Sequence, residues 1–475
     1  MSRKIRQYFI PLVVVSLVLS TIVFFACLND SDFSSNSAFT DENELANIQE
    51  ALEKIGTPWI AAENPISQLP PEERRLLLGA ADELPFIDSD KVMDYPVVLE
   101  GMSSQAYFTW QNHDGKNWMT AVKNQGNCGS CGAFATLGSL EALIKIAYNA
   151  PSMTVNLSEQ HLFSCGGGSC SEGWYLQEAF NYCKNSGVPD EACLPYTQRD
   201  NNCGNTCSDW QARAVKIADW HWVTSGQANI NKIKNALKQG PVPTRMEIYT
   251  DFYSYKSGVY EHTYGGYEGG HFVVIVGWDD SKNCWICKNS WGTTWGESGY
   301  FRIKRGQVTI GMLVGAMNYS ARAPEPVYRF WSDAGQCHFY TISKAEKDHL
   351  SNNYPDDIWR YERIAWYCFS SPQPNTLPVY RFWSDTGQCH FYTISKAEKD
   401  HLSNNYPDDV WRYERIAWYA YPQQQSGTLP VYRFWSDVGQ CHFYTISQAE
   451  KDYIIANYAD NIWRYERIAW YAKAP

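Results

Sequence analysis

The chain has 475 residues, 44% of them hydrophobic, which is enough apolar material for more than one core; two or three domains are expected. A net charge of -11, with no Lys/Arg run outside the N-terminus, offers no basic face to a polyphosphate backbone, so nucleic acid is excluded as an expected partner.

At the N-terminus, Arg3, Lys4 and Arg6 precede a largely apolar stretch, 9–26, in the order of an export signal. "FFAC" follows, ending in Cys27 ahead of a polar "LNDSDFSSNS" tail, an arrangement similar to a bacterial lipoprotein signal in which Cys27 becomes the lipidated N-terminus. An ordinary cleaved signal or an uncleaved anchor are the alternatives, and each places the remainder outside the cytoplasm, with a membrane contact through a lipid or the signal itself. The fifteen cysteines are then read in an oxidising compartment, where an unpaired thiol needs a reason.

Residues 1–27 are thus an export segment, and 28–100 read as a prosegment. "DENELANIQEALEKIG" sets Leu45, Ile48, Leu52 and Ile55 at helical spacing, and "PPEERRLLLGA" opens a second short helix with proline at its start. From 101 to 321 the pattern is α+β, with helices expected at 131–149 and 227–239 and strands at 241–248 and 271–278. "ARAPEP" is a linker. Beyond it, "PVYRFWSD" recurs at Pro326, Pro378 and Pro430, and the first two copies differ at four of 43 aligned positions. The repeats are divided as 327–378, 379–430 and 431–475, each read as strand, turn, strand, helix, strand. One unit cannot bury its aromatic face alone, so three should close around a shared axis.

Chemistry concentrates in "NQGNCGSCGAFAT", residues 124–136. As a zinc half-site, Cys128 and Cys131 would need Cys284 and Cys287, but that pair lies on a strand, where side chains three apart face opposite ways. As a redox pair they would need a thioredoxin-like parallel sheet, and none precedes them. No metal or cofactor is expected.

The third reading is a nucleophile. "QGNCGSCGAFAT", "LSEQHLFSC", "KQGPVPTRMEIYTDFYSYKSGVY", "GGHFVVIVGWDD" and "CWICKNSWGTTWGESGYF" follow one another as in papain-like cysteine peptidases, and this chain resembles that family over about 220 residues. His271 falls 140 residues after Cys131, an interval that suits the family. The resemblance implies a two-lobed fold, a helical lobe with a β-barrel-like lobe, and a Cys131–His271 thiolate–imidazolium pair acting on peptide or protein substrates. It makes Asn289 the residue that orients the imidazole, Trp291 its shield, and Gln125 the side-chain donor to the oxyanion. Independently, Cys131 heads an apolar helix whose N-terminal N–H groups favour a thiolate, and His271 follows Gly270 at the start of the strand "FVVIVGW". The resemblance also implies a Cys128–Cys170 disulfide that leaves Cys131 free, a bridge from Cys165 to Cys203 or Cys207, and Cys193 with the remaining partner. Cys183, Cys284 and Cys287 read as buried apolar groups.

Three positions depart from the family pattern. Gly132 stands where a tryptophan follows the nucleophile, which removes packing beside the sulfur. Glu172 replaces a glycine in the loop whose backbone pairs with the peptide, leaving Gly173 for that pairing. Arg245 replaces a small apolar residue lining the S2 pocket; with Gly173, Gly270 and Trp291 it completes the expected substrate-binding set. In the repeats, aromatic rings beside Asp, His and Arg suit a glycan or cell-surface ligand, although most of those rings belong in a core. The leading reading is an exported cysteine endopeptidase made as a zymogen; the alternative is a catalytically silent adhesin on the same fold.

Overall fold

The computed structural model describes residues 43–56, 59–80, 91 and 105–475. The export segment and Cys27 lie outside the described residues. Helix α1 (Glu44–Ile55) buries Ile48 and Leu52, and Gly56 ends it in a left-handed turn whose N–H reaches the Leu52 carbonyl. Ile55, expected on the same face, is exposed. The chain continues through strand β1 (Trp59–Ala61) and helix α2 (Pro71–Arg75), with Pro71 in the first turn.

The body comprises β2 (Tyr107–Thr109), α3 (Cys131–Ala147), α4 (Glu159–Gly166), α5 (Leu176–Asn185), α6 (Trp210–Arg213) and β3 (Asp219–Ser225). There follow α7 (Ile230–Leu237), β4 (Val242–Tyr249), β5 (Tyr255–Tyr260), β6 (Tyr267–Asp279), β7 (Cys284–Lys288), β8 (Tyr300–Lys304) and β9 (Leu313–Asn318). Every residue of α3 from Cys131 to Lys145 is buried, as its apolar composition on all sides demands. The sheet runs β1-β5-β8-β7-β6-β4-β9-β3, with β2 joined to β6. It is open rather than closed into a barrel, since β1 and β3 are its two ends. The edge strand β1 belongs to the N-terminal segment and adds to β5 antiparallel, with Trp59 packed on Tyr255 and Tyr260.

Three disulfides occur among the described residues: Cys128–Cys170, Cys165–Cys203 and Cys193–Cys207. Cys183, Cys284 and Cys287 are free and buried. With Cys128 in a bridge, a zinc site shared with the strand cysteines is ruled out. Among the described residues no helix is long and apolar enough to cross a membrane.

Each repeat forms a three-stranded antiparallel sheet and one helix, the first strands beginning at Glu325, Leu377 and Leu429. The copies close on one another through a ring of phenols: Tyr340 donates to the Tyr444 carbonyl, Tyr392 to that of Tyr340, and Tyr444 to that of Tyr392, at 2.6 to 2.7 Å. An outer ring repeats the cycle with charge, pairing Arg329 with Glu450, Arg381 with Glu346 and Arg433 with Glu398. Cys337, Cys389 and Cys441 are buried and unbridged, each thiol directed at a glutamine carbonyl of the next copy. This ring seats against the body where Asn375 donates to the Thr154 carbonyl and Tyr148 meets Gln373.

Candidate active site

Cys131 opens α3, and β6 carries His271 past that helix end. The sulfur is unbridged and fully buried. His271 Nε2 lies 2.8 Å from Asn289 Oδ1, which also accepts the Ser290 N–H at 2.8 Å. An oxygen already accepting one N–H must accept again from the ring, so Nε2 carries the proton and neutral His271 keeps its lone pair on Nδ1. Nδ1 makes no hydrogen bond within the protein. Trp291 packs against the ring with centroids 4.9 Å apart. With residues 77–80 in the groove Trp291 is 1% exposed, as buried as the Cys131 and His271 that it stands beside.

Gln125 is buried, with Oε1 accepting from Ser290 Oγ at 2.6 Å, which fixes its amide and aims Nε2 at the carbonyls of Leu77 and Cys128, both at 2.9 Å. Leu77 belongs to the N-terminal segment. Residues 77–80 occupy the groove between the two halves of the body: the Gly79 carbonyl accepts the Trp174 N–H at 2.9 Å, and the Ala80 N–H donates to the Gly270 carbonyl at 3.1 Å. Contact is backbone to backbone. A Cβ on Gly79 would fall 1.9 Å from the Gly129 oxygen, and one on Gly173, whose φ is +71°, would fall 2.0 Å from the Gly79 oxygen. Flanking side chains secure the segment, with Arg75 3.2 Å from Glu268 and Asn127 Nδ2 donating to Glu73 at 3.0 Å.

Burial sets the electrostatics of this occupied groove. Burial pushes the Cys131 thiol up to about 11, against the backbone N–H groups of Phe272, Gly79, Gly132 and Cys131 that favour the thiolate. Burial likewise pulls His271 down to about 4, against Asn289 and the nearby Leu77 carbonyl. The pair is therefore neutral while the segment is in place. This differs from the thiolate–imidazolium state that the family resemblance implies.

The sequence left three features unread. First, the space over Gly132 is filled: Phe272 on β6 brings its ring to 3.5 Å from where a Cβ at 132 would sit, so the aromatic lost from the helix is supplied by the facing strand. Second, Arg245 pairs directly across the ladder with Phe272, and its Nη2 lies beside Gly270 and Ala80 on the groove wall. Glu172, by contrast, is exposed. Third, a buried charge cluster stands behind the nucleophile: Lys123 Nζ meets Glu159 at 2.6 Å and Glu141 at 3.1 Å, while Lys288 Nζ reaches the carbonyls of Ala121 and Thr120 at 2.9 and 3.0 Å. These bonds tie together the segments presenting Gln125, Cys131 and Asn289. Lys and Glu spaced this widely give no local signal. Of the other histidines, His161 packs between Tyr182 and Trp210, His221 is buried on β3, and His262 pairs with Asp251.

Comparison with known proteins places this geometry. A profile described as papain family cysteine protease matches residues 105–319, and one described as a domain of unknown function (DUF5648) matches 314–369 and 326–473. Cathepsin B-like cysteine proteinase 3 of Caenorhabditis elegans is 30% identical over 309 residues, covering 57% of this chain and 83% of that protein. Cathepsin B-like CP3 of Giardia intestinalis is 37% identical over 198 residues, covering 39% of this chain and 64% of that protein, so the chain spans just under two thirds of this relative's length. Among solved structures, proCathepsin B S9 from Trypanosoma congolense superposes with a TM-score of 0.50 at 22% identity, over 60% of this chain and 100% of that one, a likeness of fold.

Proposed function

The chain belongs to the papain family of cysteine proteases, and from that premise we propose that it hydrolyses peptide bonds with Cys131 as nucleophile. His271 Nδ1 takes the thiol proton, and the sulfur attacks the peptide carbonyl. The oxyanion is received by Gln125 Nε2 and the Cys131 N–H. His271 then returns the proton to the departing amine, leaving an acyl-enzyme that water hydrolyses with His271 as base. Asn289 holds the ring through both transfers.

One observation carries this reading: Gln125 Nε2 already holds a peptide carbonyl, that of Leu77, beside the histidine. The groove accepts backbone in extended contact on both walls. The same observation supports residues 28–100 as a prosegment that blocks residues 101–321 until it is removed. Export through residues 1–27, lipidation at Cys27, and attachment to a glycan or cell surface through 327–475 complete the reading. A tether of that kind would raise local substrate concentration without touching the chemistry.

The test is a thiol-directed epoxide applied to the matured protein at mildly acidic to neutral pH, with the label located by mass. Labelling at Cys131 that disappears in His271→Ala is the expected result. A folded protein that resists the reagent would leave a binding protein in place of the enzyme. The mass of the mature N-terminus tests the anchor.

A further inference from the structure

We infer that the junction between the first and third repeats binds a neutral hexose unit of a glycan; the inference rests on the attachment reading above and gives it a site. A cavity of about 210 Å³ opens there, lined by Arg363, Ile364 and Trp366 of the first copy and by Tyr444, Ser447 and Glu450 of the third. It is smaller than the pocket of a drug-sized ligand, about 300 to 1,000 Å³, and suits one small ring. Trp366 is 0% exposed, and its indole N–H has no hydrogen-bond partner among the described residues. Tyr340 stacks on the indole with centroids 5.3 Å apart, while Trp418 and Trp470 meet it at 6.1 and 5.9 Å, so the ring is held in place. A buried donor that cannot turn toward another partner forfeits a hydrogen bond, and an acceptor entering the cavity restores it.

The charges on the wall decide the kind of acceptor. Buried Arg329 pairs with Glu362 at 2.6 Å and with Glu450 at 3.2 Å, and Arg363 meets Glu450 at 2.7 Å. Two guanidiniums thus face two carboxylates, which leaves no net charge to hold an ion. The net charge of -11 on the chain further disfavours a polyanion. A sugar ring needs no such charge: its oxygens accept from the Trp366 N–H and from half-exposed Arg363, its O–H groups donate to Glu450, and its apolar face packs on Ile364. The same set recurs at the other two junctions, as Trp418, Arg381 and Glu346 and as Trp470, Arg433 and Glu398, and both of those indole N–H groups are also without a partner. One chain therefore repeats the recognition set three times, an arrangement that a polymer of sugar units engages with avidity.

The experiment uses the full chain with isotopically labelled tryptophan and follows the indole N–H resonances by NMR as glucose, galactose, mannose or N-acetylglucosamine is added, with sodium acetate as the anion control. Trp366→Phe, which keeps an aromatic ring and removes the N–H, identifies the resonance. At least one of the neutral sugars should move it saturably, and acetate should not. Arg363→Met, at a half-exposed position, should weaken that sugar about tenfold, the scale of one charge-assisted bond. This variant also covers the case of a Trp366 variant that does not fold, since the indole whose sugar response it weakens is the one at this cavity. A Trp366 resonance that none of the sugars moves overturns the site; the attachment reading stands if a panel of immobilised glycans still retains the chain, and falls with it if none does. A resonance that acetate alone moves marks an anion site and overturns the sugar.

Discussion

The sulfur of Cys131 and the imidazole of His271 owe their resting state to what covers them. With residues 77–80 in place, burial holds the thiol near 11, so alkylation of the intact chain at Cys131 should stay slow at neutral pH and rise only as pH approaches that value. After removal of residues 28–100 the same thiol should react from mildly acidic pH, and a rate that is identical before and after removal would contradict the blocked groove. The histidine gives the sign of a second pH effect. Its blocked value of about 4 lies below the ordinary value near 6.5, so between these pH values the open form binds the extra proton and acidification favours opening, by about 3 kcal/mol at most. Packing beside the nucleophile is testable as well. Phe272→Ala should destabilise the body by about 3 to 5 kcal/mol, because the buried ring packs over Gly132 and its loss leaves a cavity there. Gly132→Ala meets only ordinary contact at 3.5 Å and should be neutral or stabilising by up to about 1 kcal/mol in a thermal melt.

Among the elements, the strip 77–80 depends on two glycines meeting face to face. Gly79→Ala drives a Cβ into the Gly129 oxygen at 1.9 Å, a backbone atom that cannot swing aside, so the segment must lift. The expected result is an uncleaved chain whose Cys131 takes the epoxide at neutral pH while its melting temperature for the body is nearly unchanged; full protection in that variant would disprove the contact. Nothing in "LLLGA" reveals this role, because the requirement comes from Gly129 and Gly173, about 50 and 94 positions away. The amphipathic helices, the apolar α3 and the strands around His271 were legible, since their periodicity is a local property. The family motifs located Cys131, His271, Asn289 and Gln125, but they were silent on Phe272, which compensates Gly132 only through cross-lobe packing. Ile55 kept its helical phase and still faces outward, for the short α1 has more apolar face than the body covers.

For the molecule as a whole, the repeats form a cycle rather than a row, and a cycle must have a contact that closes it. That contact joins the first and third copies, where Glu450 takes Arg329 Nη1 at 3.2 Å and Arg363 Nη2 at 2.7 Å. The equivalent pairings Arg381–Glu346 and Arg433–Glu398 link copies adjacent in sequence, so of these three acids it is Glu450 that tests closure. Glu450→Gln keeps the helix cap, in which Ser447 Oγ accepts the N–H of residue 450, while removing the charge that Arg329 and Arg363 share. Arg329 retains Glu362 at 2.6 Å, which limits the loss to about 1 to 3 kcal/mol for a partly exposed acid. A closed ring loses stability as one unit, so its single melting transition should fall by several degrees with hydrolysis by the body unaffected. Three repeats melting independently, with only the third displaced by the substitution, would show instead an open array whose ends do not depend on each other.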